Sequence, residues 1–253
     1  MTNGFQGKSI IVTGGGSGIG QSTALLVAEA GGSVTVADRD IGKAQETVSQ
    51  ITAAGGQAQA VRVDVANERD VEDMVKQAVS AFGRLDGAAN VAGRSSHSLG
   101  LHQLALEQWA DCIAINLTGP FLCMKHQIPE MLKNGGGSIV VVSSTSAVRA
   151  YPGISEYAAS KAGVLGLVRC AALEYGKQGI RVNSVMPGTT DTPMMRGHME
   201  KWPEIEEAVK AQHLVGRYGR SDELGHAIRW LLSDEASFVT GINMPVDGGQ
   251  TAG

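Results

Sequence analysis

Ser9-Ile10-Ile11-Val12-Thr13 runs directly into Gly14-Gly15-Gly16-Ser17-Gly18-Ile19-Gly20, and a helical pattern follows through Ala30. A short, continuous β-branched run of this kind reads as a strand buried on both faces, as in a parallel sheet. The glycines permit a tight turn and close backbone approach. The helix that opens among them offers free N–H groups and the positive end of its dipole. Strand, glycine loop and helix N-terminus together make a cradle for pyrophosphate. A glycine-rich loop alone is weak evidence, but this is the context that supports it.

The next strand-like run, Ser33 to Ala37, ends at Asp38, 18 residues past Gly20. An acid near that distance is placed to accept hydrogen bonds from the ribose hydroxyls of NAD, and its charge repels the 2′-phosphate of NADP. Arg39 stands beside it and could meet that phosphate instead. Further strands are expected at Ala58 to Val63, Leu85 to Ala89, Ser138 to Ser143, Ile180 to Val185 and Ile242 to Val246. Helices are expected over 41–54, 67–82, 107–133 and 156–175, and from Ser221, read as an N-cap, to Leu232. Val71, Met74, Val75 and Ala78 recur at core spacing. Asn116-Leu117-Thr118-Gly119-Pro120 weakens the helix over 107–133 and predicts a kink. Asp64 closes one strand within reach of an adenine amino group. Asn90-Val91-Ala92-Gly93 closes the next with small residues against which a cofactor can lie. No repeat, low-complexity tract or linker intervenes. The pattern predicts an α/β chain, a single-domain Rossmann fold over 1–253. Its doubly wound parallel seven-stranded sheet carries helices on both faces.

Composition narrows the function. A chain of 253 residues can bury a core that needs neither disulfides nor metals. A net charge of −4 and a pI near 5.9 argue against nucleic acid and anionic membranes as partners. No apolar run approaches the ~18 residues of a membrane span. The start, MTNGFQGKS, lacks a basic-then-apolar leader. Cys112, Cys123 and Cys170 are widely spaced in helical, partly apolar stretches and read as reduced packing residues of a cytoplasmic protein. The histidines form no HExxH, and His97 and His102 sit in a loop without cysteines or paired carboxylates, so no metal is expected.

Val142 to Gly163 carries the chemistry. Tyr157 and Lys161 are four residues apart, so a helix puts them on one face. An ammonium beside a phenol favours the phenolate, which predicts a tyrosine pKa lowered from about 10 and suited to acid–base work. Ser144 follows the apolar run Ile139 to Val142, where a hydroxyl can return to the tip of that helix. A lone Tyr-x-x-x-Lys is usually a solvated helix face; the rest of the chain changes that reading.

These residues resemble the short-chain dehydrogenase/reductases over nearly the whole chain, with the motifs in that family's order. Thr13-Gly14-x-x-x-Gly18-x-Gly20 resembles the nucleotide loop. Asn90-Val91-Ala92-Gly93 is similar to the Asn-Asn-Ala-Gly motif, with Val91 in place of the second asparagine. Asn116, Ser144, Tyr157 and Lys161 fall at the catalytic positions, the serine 13 residues before the tyrosine. The resemblance implies cofactor contacts from Gly14, Ser17, Gly18, Ile19, Gly20, Asp38, Asp64, Val65, Asn90, Tyr157, Lys161, Pro187, Gly188, Thr190 and Thr192. It implies Tyr157 as acid–base residue, Lys161 lowering its pKa and binding the nicotinamide ribose, Ser144 polarising the substrate oxygen, and Asn116 ordering a water relay. It also implies a homotetramer.

The substrate is a small molecule whose identity is less legible. Residues 189–212 lack one clear period, hold Met194, Met195, Met199 and Trp202, and read as a substrate lid beyond a strand's end. With Tyr151 they point to a small or medium hydrophobic substrate, with a cyclic one as a candidate, and the resemblance implies that it is a secondary alcohol or its ketone. The stretch 231–241 looks like bacterial relatives that oxidise secondary alcohols and cyclic diols. Arg94, His97 and Arg149 are candidates for binding a polar group, against the reading that each is a surface residue. The alternatives are a 3-oxoacyl-carrier-protein reductase using NADPH, which Asp38 opposes, and a non-catalytic NAD-binding regulator, which an intact catalytic set opposes.

Overall fold

The computed structural model describes residues 4–200 and 203–252. In chain order β1 (Ser9–Thr13), α1 (Gly18–Glu29), β2 (Ser33–Asp38), α2 (Ile41–Ala53), β3 (Gln57–Arg62), α3 (Glu68–Phe82) and β4 (Gly87–Asn90) form the first half. The second half holds α4 (Leu106–Ile113), α5 (Gly119–Lys133), β5 (Gly137–Val142), α6 (Ser155–Tyr175) and β6 (Ile180–Pro187). After it come β7 (Thr190–Asp191), α7 (Pro193–Met199), α8 (Glu206–Lys210), β8 (Gly219–Arg220), α9 (Ser221–Leu232) and β9 (Asn243–Val246).

Seven strands make one sheet in the order β3-β2-β1-β4-β5-β6-β9, every pair parallel, as the pattern predicts. Alternation along each strand feeds two cores. Ile11, Ile139 and Val141 face one side, where α3, α5 and α6 supply Val71, Met74, Met124 and Val164. Ile10, Val12, Val140 and Val142 face the other, where α1, α2 and α9 supply Val27, Ile51, Leu224 and Ile228. With both faces covered, β1 is buried at all five positions, which explains its unbroken β-branched run.

Four local expectations are corrected. β3 and β4 are shifted by one or two residues, and β4 starts at Gly87 although Leu85 is buried before it. The interruption near Asn116 is a π-helical turn over Ala114–Thr118. Pro120 has no N–H to offer the Asn116 carbonyl, and the Gly119 N–H reaches back five residues to Ala114 O. Ser221 is the first residue of α9, not its cap. Arg220 is the cap, its N–H held by Glu223 Oε2 at 2.7 Å, while Ser221 Oγ donates to Asp191 O. Cys112 and Cys123 are buried, but Cys170 is exposed.

Among the described residues no helix is long and apolar enough to cross a membrane. Asn90, at the end of β4, exchanges two hydrogen bonds of 3.0 Å with Gln127 on α5, both side chains buried. Gln127→Ala would strand both ends of the Asn90 carboxamide, each worth about 1–3 kcal/mol when buried without a partner. The expected result is a lower urea midpoint with an unchanged slope; a wild-type midpoint would show that water replaces the pair without cost.

Candidate active site

All strands of the sheet deliver their carboxyl ends to one edge, and the sheet order reverses beside β1, between β2 and β4. The glycine loop occupies that point. A Cβ on Gly20 would lie 2.1 Å from the Gly14 carbonyl oxygen, so no side chain fits there, and Gly18 has φ +54°. Ser17 caps α1 with its backbone only, and the first turn of α1 holds no acid, so its positive end is free for an anion. Thr13 Oγ1 accepts from the N–H groups of Val91 and Ala92 at 3.1 and 3.2 Å, tying the loop to the segment after β4.

Asp38 does two things at once. Its Oδ2 accepts from Gly16 N–H and its Oδ1 from Asp40 N–H, both at 3.0 Å, so the carboxylate is anchored at the mouth of the loop. Each oxygen keeps a further lone pair for a diol. Asp64 is held similarly, with Oδ1 accepting from Ala66 N–H at 3.0 Å. Val65 is buried against Gly119. The Asn90 side chain is buried and tied to Gln127 by one donated and one accepted hydrogen bond.

Across the edge, Pro187 ends β6 and Gly188 N–H donates to Val246 O at 3.1 Å. Thr190 Oγ1 donates to Gly188 O, and Thr192 lies over Gly18, where a Cβ would come within 3.2 Å of its methyl. The sequence offered no role for His213. It is buried, its Nε2 accepting from Thr189 N–H at 3.0 Å and its Nδ1 donating to Val209 O at 3.1 Å. Those partners fix the Nδ1–H tautomer and join α8 to the turn after β6. Gln250 was missed too. It links Thr145, Tyr151 and Gln212, and its carbonyl accepts from Arg149. Long-range hydrogen bonds of this kind leave no local signal in sequence.

Ser144, Tyr157 and Lys161 meet where β5 runs toward α6. Lys161 is 4% exposed; its Nζ donates to Val142 O at 2.9 Å and lies 5.7 Å from the Tyr157 ring centre. The expected lowering of the tyrosine is not what this arrangement produces. Burial pushes the Tyr157 phenol above its ordinary value, with the Ser144 hydroxyl pulling the other way. Burial likewise pushes the Lys161 ammonium down to about 8. Asn116 is fully buried in the π-turn. Its Oδ1 accepts from Arg94 N–H at 2.9 Å and its Nδ2 donates to Arg94 O at 3.1 Å and to Cys112 Sγ. A Cβ on Gly93 would sit 3.1 Å from Asn116 Oδ1 and 3.5 Å from Lys161 Nζ, so these two polar groups flank the same backbone atom. Arg94 pairs with Asp111 and donates to His97; Arg149 lies over Tyr151.

An anion cradle, an anchored acid and a Ser/Tyr/Lys cluster now share one edge. A family model described as enoyl-(acyl carrier protein) reductase, of the short-chain dehydrogenase type, matches residues 14–251. The chain belongs to the short-chain dehydrogenase/reductases. It is similar to a 2,5-dichloro-2,5-cyclohexadiene-1,4-diol dehydrogenase of Sphingobium indicum, 46% identical over 98% of both chains. It is also similar to a cyclohexanol dehydrogenase of an Acinetobacter species, 42% identical over 100% of this chain and 98% of the other. Among solved structures, levodione reductase superposes with a TM-score of 0.93 at 33% identity, covering 98% of this chain and 99% of that one. As a short-chain dehydrogenase/reductase it is an oxidoreductase acting on a CH–OH group with a nicotinamide cofactor.

The buried lysine has a consequence for stability. The unfolded chain keeps the lysine proton up to about 10.5, while the folded chain releases it near 8. Between those values the unfolded state binds more protons, so resistance to unfolding rises with pH. Tyr157, shifted upward, opposes this only above its ordinary value of 10. Lys161→Met is expected to remove the gain between pH 8 and 10, read as denaturant midpoint against pH; an identical rise in the variant would show that the ammonium is not desolvated.

Proposed function

We propose that this short-chain dehydrogenase/reductase transfers a hydride between NAD and a hydrophobic, cyclic secondary alcohol or its ketone. The observation that carries the reading is the convergence of Asn116 Oδ1 and Lys161 Nζ beside Gly93, with the Tyr157 ring centre 5.7 Å from that ammonium and the Ser144 hydroxyl hydrogen-bonded to the phenol, together with relatives named for cyclic alcohols and diols. NAD rather than NADP follows from Asp38, whose anchored charge stands where a 2′-phosphate would go.

The cofactor fits the residues present: the bare Gly14–Gly20 turn and the acid-free first turn of α1 take a pyrophosphate, and Asp38 takes a ribose diol. Asp64 and Val65 would hold the base, and Asn90, Pro187, Gly188, Thr190 and Thr192 the nicotinamide end. When bound, the nicotinamide supplies hydride chemistry; the protein supplies alignment and the proton. In oxidation, Tyr157 Oη takes the alcohol proton while Ser144 Oγ hydrogen-bonds the same oxygen. Lys161 Nζ, charged and close to the phenol, favours the phenolate against the burial that opposes it. Asn116 holds the backbone at Arg94 and, through water, leads the proton outward from Lys161.

The stretch 189–212 serves as the substrate lid, with Met194, Met195 and Met199 as its apolar candidates; Trp202, read with them from the sequence, lies outside the described residues. The active form is a cytoplasmic homotetramer. The reductase reading, for an acyl-carrier-protein thioester with NADPH, has the family description in its favour and Asp38 against it.

Tyr157→Phe should lower turnover at least about 1,000-fold, within the range by which positioned acid–base groups act. NADH binding, followed by fluorescence, should survive; lost binding would mean that the site is misread. Asp38→Ala should narrow the ratio of NAD to NADP activity in initial-rate assays with cyclohexanol, cyclic diols and hydroxyacyl thioesters. An unchanged ratio would remove Asp38 from coenzyme choice, and NADP-dependent thioester turnover would favour the reductase.

A further inference from the structure

Glu156, the residue before Tyr157, has no part in the scheme above, yet its side chain is completely buried. Its Oε1 accepts from the main-chain N–H of His97 at 2.7 Å and from His97 Nδ1 at 3.3 Å, while Oε2 is buried with no partner. Arg94 Nη2 lies 2.9 Å from His97 Nε2 and can only donate, so the imidazole proton is on Nδ1, facing the carboxylate. Arg94 in turn pairs with Asp111 on α4. A half-satisfied carboxylate inside a protein costs stability, and a carboxylate in this state calls for a reason other than stability.

The position of the segment it holds supplies that reason. The chain from Arg94 to His97 is gripped at both ends: the Asn116 carboxamide makes two hydrogen bonds to the Arg94 main chain, and Glu156 takes the His97 N–H. Just beyond, Ser98 has φ +58°, the one non-glycine with positive φ among the described residues, and its backbone lies 3.5 Å from where a Cβ on Gly153 would be. The gripped segment therefore joins the π-turn carrying Asn116 to the first turn of α6 carrying Tyr157. Gly93, next to Arg94, lies against both Asn116 Oδ1 and Lys161 Nζ.

We propose that Glu156 is a positioning residue for the reaction: through His97 and Arg94 it locks the segment after β4, and so sets Asn116 and Lys161 relative to Tyr157. This rests on the reading of Tyr157 as the acid–base residue. Substrate and coenzyme need not touch Glu156 for its loss to be felt, because misplacement of reacting groups by about 1 Å can cost about 100-fold.

Glu156→Ala, Glu156→Gln and His97→Ala in the full-length enzyme test it, with cyclohexanol and NAD. Glu156→Ala is expected to lower kcat/KM about tenfold or more and to move the alkaline limb of its pH profile, with NADH affinity within about twofold of wild type. Glu156→Gln keeps an acceptor for the His97 N–H and should recover most of the loss. His97→Ala, which removes the imidazole but keeps the main-chain N–H that Glu156 accepts, should fall between, and its effect should not add to that of Glu156→Ala. Wild-type rates and profile in Glu156→Ala and His97→Ala would overturn the proposal. So would a loss fully explained by fewer folded active sites, counted by NADH titration. An active Tyr157→Phe would overturn the underlying site reading; an inactive Tyr157→Phe beside a normal Glu156→Ala would overturn only this inference.

Discussion

Parallel pairing is the constraint on which the rest of the molecule depends. Each strand of the sheet must be re-entered from the same end, so every crossover spans the sheet and every carboxyl terminus reaches one edge. Residues just beyond those termini come together although the chain separates them: Gly14 to Gly20 after β1, Asp38 at the end of β2, Gly93 after β4, Ser144 after β5 and Gly188 after β6. Two covered faces also dictate the small and β-branched strands, because polar atoms there need partners. Asn90 and Gln127 meet that need by satisfying each other.

The site holds charges against burial. Lys161 leans on the Val142 carbonyl and Tyr157 sits above its ordinary pKa, so in the protein alone desolvation moves both groups toward neutrality. Groups buried in this way are held in place by their neighbours rather than by solvent. Asn116 grips the main chain at Arg94, His213 fixes Thr189, and Gln250 fastens the segment around Thr145 and Tyr151.

Much of this was legible in sequence wherever the signal is local. The seven strands, the loop and the four-residue spacing of Tyr157 and Lys161 follow from backbone periodicity, and Asp38 follows from its distance to the loop. The π-turn was visible only as a weakness at Gly119 and Pro120, because a kink and a wider turn both answer the missing proline donor. The Ser221 cap failed for a similar reason: Glu223 offered Arg220 a better acceptor than the serine could.

By itself, then, the sequence determined the alternation of elements, the edge on which the candidate site stands and the residue types found there, since these depend on spacing along a chain of fixed geometry. Tertiary structure decided the rest. Glu156 meets His97 from 59 residues away, and Arg149 meets the Gln250 carbonyl from 101. The direction of the Tyr157 shift was likewise a tertiary matter. A lysine one turn away argues for a lower pKa, but how much water the fold removes from a phenol is a property of everything packed around it.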